Sequence, residues 1–245
     1  FTKYLYDETC GIQLVAKYYD DIQFPSSKAM RLGQFFEWKA TGQLPKYGDT
    51  PEPDMIAKGT KLSTDFQRAE DNAEYFKTVI EQLGIKIIDT GLKLENDTMT
   101  GEIDIYAEWN GEKVFIDTKY SSLIDDKWSP FGWEKESLPE KDGLMIQGVQ
   151  YKMLAKDCLG IDDIPFYYFV FSTKEVGYAK IYKQNVDEGR FLQHELAVQK
   201  IRNKLKSVDI TWFKPKPDLK RCMECPLADN CNFKVTTPIV EEIFY

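Results

Sequence analysis

The sequence predicts an α/β fold: a sheet-forming centre bracketed by helices, with a cysteine-bearing module appended. Three observations carry this. Phe66, Ala69, Ala73, Phe76, Ile80 and Leu83 recur at helical spacing between Ser63 and a stop at Gly84. Three strand-like runs follow at 85–95, 100–109 and 113–120, and Asn110-Gly111 between the last two is the strongest short hairpin signal. An amphipathic helix over about 143–158 then separates these runs from two further strands, 166–173 and 177–183.

The remaining elements fall into order around that centre. Residues 3–20 read as a helix carrying Cys10. Ser26 or Ser27 can cap a second helix, which Gly42 would stop. Residues 43–62 contain Pro and Gly and read as loop, and 123–142 are charged and irregular yet hold Trp128, Phe131 and Trp133. A long helix over 186–206 leads into a Pro- and Lys-bearing tail. The 245 residues fit one large domain or two small ones, and 42% apolar with 14% aromatic content excludes wholesale disorder. We read a single domain over 1–245, with a core of about 26–185 and a cysteine module formed by about 1–22 plus 207–235. No apolar run approaches the ~18–20 residues of a membrane span, and no charged-then-apolar leader opens the sequence. The expectation is a cytoplasmic protein in reducing surroundings, without membrane contact.

Forty acidic against 32 basic side chains give a charge of −8 and a pI near 4.9. Such a balance ordinarily argues against nucleic acid, because phosphate binding is driven by Lys and Arg. The basic residues are unevenly spread, however. Residues 200–221 hold eight basic and two acidic side chains, a net +6 that leaves −14 elsewhere. Trp212 and Phe213 lie in the same stretch, and bases stack on such aromatics in single-strand grooves. Lys204, Lys206, Trp212, Lys214 and Lys216 are therefore candidate nucleic-acid contacts; the competing reading is a solvated helix face with aromatics anchoring the tail. The aromatic insert at 123–142 carries −3, which does not favour a phosphate groove.

Asp104 in GEIDIY and Asp117 in FIDTKY lie on strands joined by the expected hairpin, with Lys119 two residues after Asp117. Positions i and i+2 of a strand share a face, so Asp117 and Lys119 point the same way. Neighbouring strands lie ~4.8 Å apart, which lets Asp104 converge on them if the register cooperates. Two carboxylates and an ammonium among apolar residues suit a hard divalent ion, Mg or Mn, that polarises a phosphodiester and generates hydroxide. A solvated hairpin face is the bland alternative.

The residues then resemble a known family. GEID, IDTK after a hairpin, and Gln147 with Tyr151 in QGVQY are similar to the PD-(D/E)XK nuclease superfamily in its RecB-like branch. The resemblance implies a restriction-endonuclease-like mixed central sheet flanked by helices. It also implies a metal ligand four residues after a Gly on a helix before the sheet. LGQFFE supplies Gly33 and Glu37, with Glu in place of the more usual His. On this resemblance Glu37, Asp104 and Asp117 hold the metal, Lys119 is the catalytic lysine, and Gln147 and Tyr151 support substrate and site.

Five cysteines are present, and Cys222, Cys225 and Cys231 crowd into RCMECPLADNC, one thiolate short of a closed tetrahedral site. Cys10 is the natural fourth ligand, bringing the two chain ends together. Zinc and a 4Fe-4S cluster both accept four thiolates, and spacing alone does not decide between them. A distant N-terminal Cys plus a C-terminal CxxCx5C around a RecB-like core resembles the iron–sulfur nucleases. These include the CRISPR-associated exonuclease of the fourth Cas family and the AddB-type recombination nucleases. That resemblance implies a 4Fe-4S cluster, with zinc second, and an exonuclease working on single strands or DNA ends in CRISPR adaptation or in phage or repair recombination. A CRISPR integrase or recombination protein would then be a partner. Cys158 is expected to be a buried small apolar side chain, and His194 to have a packing or surface role. The reading from another class is a catalytically silent nucleic-acid-binding or scaffold module with a structural metal site.

Overall fold

The computed structural model describes residues 10–22, 24, 26–43, 55–59, 61–129, 132–134, 142–206, 213–217, 219–223 and 225–237. In chain order the helices are α1 (Gly11–Tyr18), α2 (Lys28–Thr41), α3 (Thr64–Gln82), α4 (Asp142–Leu159), α5 (Glu188–Lys206) and α6 (Leu219–Met223). The strands are β1 (Ile56–Lys58), β2 (Lys61–Leu62), β3 (Lys86–Glu95), β4 (Thr100–Trp109), β5 (Glu112–Ser121), β6 (Phe166–Ser172) and β7 (Ala179–Gln184). Two compact units emerge: Ser26–His194, and Phe1–Pro25 together with Glu195–Tyr245.

The larger unit is built on a five-stranded mixed sheet in the order β3-β4-β5-β6-β7. The β3–β4, β4–β5 and β6–β7 pairs are antiparallel, whereas β5 and β6 run parallel. A parallel pair needs a crossover connection, and α4 lies in it. The β4–β5 turn is Asn110-Gly111, both with positive φ (52° and 81°), as a two-residue hairpin whose twist matches its strands requires. Local chemistry also sets the bounds of α2. Ser27 Oγ accepts the Met30 N–H at 3.2 Å, and Gly42 closes the helix in the left-handed region.

Alternate residues of the central strands look to opposite sides. Ile105, Ala107, Val114, Ile116, Phe169 and Phe171 build one core with Phe35 and Phe36 of α2 and Phe66, Ala69, Ala73, Phe76 and Ile80 of α3. Each buried Phe or Ile of this kind stabilises the fold by about 1.5–3 kcal/mol. The intervening residues Phe115, Asp117, Lys119, Phe166 and Tyr168 occupy the other face, where Tyr151 of α4 packs on Phe166 at 6.0 Å between ring centroids. Asn72 of α3, fully buried, ties down the β6–β7 connection. Its Nδ2 donates to the Ser172 and Glu175 carbonyls, and its Oδ1 accepts from Gly177 N.

Three elements differ from the sequence expectation. Part of 43–62 is not loop: Ile56–Lys58 and Lys61–Leu62 pair as a two-stranded ribbon, too short for periodicity to reveal. Cys158 is exposed at the end of α4, its Sγ 3.4 Å from the Glu95 carbonyl oxygen, so it does not pack in a core. The helix expected over 3–20 spans Gly11–Tyr18, with Cys10 as its cap residue; residues 3–9 lie outside the described residues. His194 is fully buried, and neither ring nitrogen has a hydrogen-bond partner among the described residues. No helix among the described residues is long and apolar enough to cross a membrane.

In the smaller unit, Leu14 of α1 packs with Phe213, supported by Val15 and Leu205. Gly11 N donates to the Lys214 carbonyl at 3.1 Å. A side chain at Gly11 would press into the Phe213–Lys214 backbone at 2.4 Å, so only glycine lets the tail lie against the start of α1.

Candidate active site and cysteine cluster

The site forms where two strands part. The β4–β5 ladder runs from Trp109–Glu112 to Ile105–Ile116. Beyond Ile105–Ile116, β4 stays paired with β3 and β5 with β6. Asp104 and Asp117 stand at the mouth of this fork, one residue past the last rung on each strand. The Asp104 carboxylate takes over from the ladder: its Oδ2 accepts Thr118 N–H at 2.7 Å and Thr118 Oγ1–H at 3.1 Å. Asp117 is fully buried and ion-paired with Lys119. Neither Asp117 oxygen receives a well-aligned hydrogen bond among the described residues.

These groups feel one another's charge. Burial pushes the Asp104 carboxyl well above the usual carboxylate range; Asp117 and Glu37 add to the rise, while Lys119 and the Thr118 N–H oppose it. Burial likewise raises Asp117, against the pull of Lys119 and Gln147. Glu37 of α2 is raised by burial and by Asp117 and Glu102, with Lys119 opposing. Burial by itself would lower Lys119, but Asp117 and Asp104 overcome it and hold the ammonium above its ordinary value. Three carboxylates against one ammonium leave the ionised site at −2, a charge that a divalent cation would offset.

Gln147 and Tyr151 meet as their four-residue spacing on α4 requires. Gln147 Nε2 donates to Tyr151 Oη at 2.9 Å, and Tyr151 O–H donates to the Glu102 carbonyl at 2.7 Å. Gly101 makes this possible. A Cβ there would stand 2.6 Å from the Tyr151 ring, so the glycine of the GEID motif is the flat surface on which the tyrosine lies. Burial raises the Tyr151 phenol to about 12.

Asp117 with Lys119, and Gln147 with Tyr151, are joined directly, Asp104 is held by Thr118, and Glu37 reaches the group through charge alone. Two participants were missing from the sequence reading. Thr118 supplies both donors to Asp104, and Glu102 lies two residues from Asp104 on the same strand face and contributes charge towards Glu37. The i,i+2 spacing was the available signal for Glu102. The donor chemistry suits a hard divalent ion, and neither oxygen of the buried Asp117 carries a well-aligned hydrogen bond among the described residues. Among the described residues, however, no three carboxylate, thiol or imidazole side chains stand close enough together to hold a metal ion.

The same statement covers the cysteines, all of which are free thiols. Cys10 Sγ accepts Lys216 N–H at 3.3 Å, and Cys225 Sγ accepts from Gln13 Nε2 at 3.2 Å, in the first turn of α1. Cys222 is buried, and Cys231 lines a cavity of about 710 Å³ with Ile12, Val15, Phe213 and Phe233. Lys204, Lys206, Lys214 and Lys216 belong to this smaller unit. Trp212, like Phe131, lies outside the described residues.

The fold has a solved counterpart. The chain is similar to a candidate exonuclease from Eubacterium rectale, with a TM-score of 0.64 at 17% identity over 96% of this chain and 86% of that one. A phage-related exonuclease from Haemophilus somnus aligns over 76% of this chain and 91% of its own, at 19% identity and a TM-score of 0.38. No family model matches the chain, and no curated protein matches it.

Proposed function

We propose that the protein is a divalent-metal-dependent DNA nuclease hydrolysing phosphodiester bonds, working as an exonuclease on single strands or DNA ends. The observation that carries this reading is the fork, where buried carboxylates of raised pKa and one ammonium meet at the parting of two strands. Perturbed, convergent titratable groups of this kind mark functional sites. The E. rectale protein of similar fold is itself named for exonuclease activity, which favours the same reading. Preference for single strands or ends rests on the RecB-like resemblance.

Glu37, Asp104 and Asp117 would hold Mg or Mn through carboxylate oxygens. Bound there, the ion would polarise the phosphodiester and lower the pKa of a coordinated water. The side chains of the chain itself set the rest. Lys119 stays protonated under the influence of Asp117 and Asp104, as stabilising negative charge on a phosphate oxygen requires. Tyr151 keeps its proton at neutral pH and uses it to grip the Glu102 carbonyl, which fixes the amide of Gln147. Thr118 fixes Asp104 from the neighbouring strand.

Cys10, Cys222, Cys225 and Cys231 form the second part of the proposal, as ligands of a 4Fe-4S cluster, with zinc the second choice. Four thiols from both chain ends within one unit, two of them already accepting N–H donors, support it. Metal binding confined to the folded state would add to folding free energy. Cys10→Ala or Cys225→Ala should lose the brown colour and much of the soluble yield; a colourless, well-folded native protein with stoichiometric zinc would rule the cluster out. By the resemblance, the pathway is CRISPR adaptation or phage or repair recombination, with an integrase or recombination protein as partner.

One observation favours the silent-module reading: Lys119 already pairs with Asp117, and the carboxylates do not surround a common point. Linear and circular single-stranded DNA and linear duplex DNA, incubated with Mg or Mn and resolved on gels, separate the two, with Asp117→Ala as control. Cleavage of linear but not circular single strands is expected; no cleavage of any form would leave the silent module.

A further inference from the structure

The segment after β5 carries a side chain that hydrolysis at the fork does not use. Trp128 is 89% exposed, the most exposed large apolar side chain among the described residues. Its backbone is nevertheless fixed. Trp128 N and Ser129 N both donate to Asp126 Oδ1 at 2.7 Å, and Glu134 N donates to the Asp126 carbonyl at 3.1 Å.

The base of the segment is anchored as firmly. Trp133 is 7% exposed, stacks on Tyr182 with centroids 5.3 Å apart, and packs on Tyr168 at 5.4 Å. Lys180 of β7 binds Asp125 at 2.7 Å and Glu134 at 2.6 Å, and Tyr182 O–H donates to Glu134 at 3.0 Å. Tyr168 is the register neighbour of Asp117 across the β5–β6 pair. The anchor therefore sits on the same sheet face as the catalytic carboxylates, next to the strand that bears Asp117.

Three acids of the insert are engaged near this turn. Asp125 and Glu134 are bound to Lys180, and Asp126 closes the turn, which leaves the exposed Lys127 beside the exposed indole. The immediate sequence neighbours of Trp128 are the polar Lys127 and Ser129. A lone aromatic beside a cation is the combination that grips single strands, through base stacking and phosphate contact.

We propose that Trp128 is a stacking platform for one base of the single-stranded substrate, with Lys127 meeting the adjacent phosphate. The proposal rests on the nuclease reading. Its test uses the full chain with Trp128→Ala and Trp128→Phe. KM and kcat are measured on a linear single-stranded oligonucleotide, and oligonucleotide affinity by fluorescence anisotropy in an Asp117→Asn background. Loss of one stack should raise Kd and KM about tenfold, leave kcat within about twofold, and be largely restored by Phe. Melting should not change, since the indole is exposed. Cleavage by the wild type with Trp128→Ala binding within twofold of it would overturn the platform alone. Absence of both binding and cleavage in the wild type would remove the nuclease reading and the platform together.

Discussion

Removing the Tyr151 hydroxyl tests the geometry that links α4 to the GEID strand. In Tyr151→Phe the ring still lies on Gly101, but Gln147 Nε2 and the Glu102 carbonyl each lose a partner, at 2.9 and 2.7 Å. Two hydrogen bonds at about 1 kcal/mol each, plus the cost of orphaning part-buried groups, give a destabilisation of about 2–3 kcal/mol. Gln147→Ala breaks the first bond and removes the Gln147 interaction with Asp117, and should cost about 1–2 kcal/mol. In the double variant that shared bond is lost only once, so its cost should fall about 1 kcal/mol short of the sum of the singles. Urea unfolding of the four proteins measures this, provided the m-values agree and the transitions are two-state. Tyr151→Phe within 0.5 kcal/mol of wild type, or strictly additive singles, would show that the Gln147–Tyr151–Glu102 chain is not a coupled unit.

Burial holds His194 neutral and lowers its pKa to about 4, from the usual 6.5. Above pH 6.5 its contribution to stability is complete; as pH falls towards 4 the unfolded chain takes up a proton that the fold refuses. About 2–3 kcal/mol should be lost by pH 4.5, and the wild-type-minus-His194→Leu difference in unfolding free energy should show it; parallel pH profiles would contradict this. A Cβ at Gly33 meets nothing within 4 Å, so Gly33→Ala should stabilise α2 by about 0.5–1 kcal/mol and raise the melting temperature by a few degrees; a fall would show that packing requires the glycine. Changing Lys204, Lys206, Lys214 and Lys216 to Glu should weaken single-strand affinity and flatten its dependence on salt by about 0.7 in slope per lost contact. An unchanged slope would remove the basic segment as a nucleic-acid site.

The fold was largely legible because its signals are local. Ser27 and Gly42 bound α2 by capping chemistry, Asn110-Gly111 sets the hairpin, and α3 buries its apolar stripe from Phe66 to Ile80. Alternation along β5 placed Asp117 and Lys119 on one face, and the four-residue spacing joined Gln147 to Tyr151. What spacing could not show is where a ladder ends. The parting of β4 and β5 after Ile105–Ile116, and with it the role of Thr118, is a tertiary outcome of two strands choosing different partners. Nor could composition tell which aromatic of the 123–142 insert anchors and which projects; Trp133 packs on Tyr168 and Tyr182, and Trp128 is exposed. The ribbon of Ile56–Lys58 and Lys61–Leu62 has no sequence signature because strands of three and two residues have no measurable period.

The central claim is that the fork of β4 and β5 hydrolyses DNA. Glu37→Gln, Asp104→Asn, Asp117→Asn and Lys119→Met, assayed beside the wild type on an end-labelled single strand in Mg or Mn, test it most directly. The account predicts metal-dependent cleavage by the wild type and a loss of about 100-fold or more in each variant, with all five proteins folded. Full metal-dependent cleavage by Asp104→Asn and Lys119→Met would contradict it.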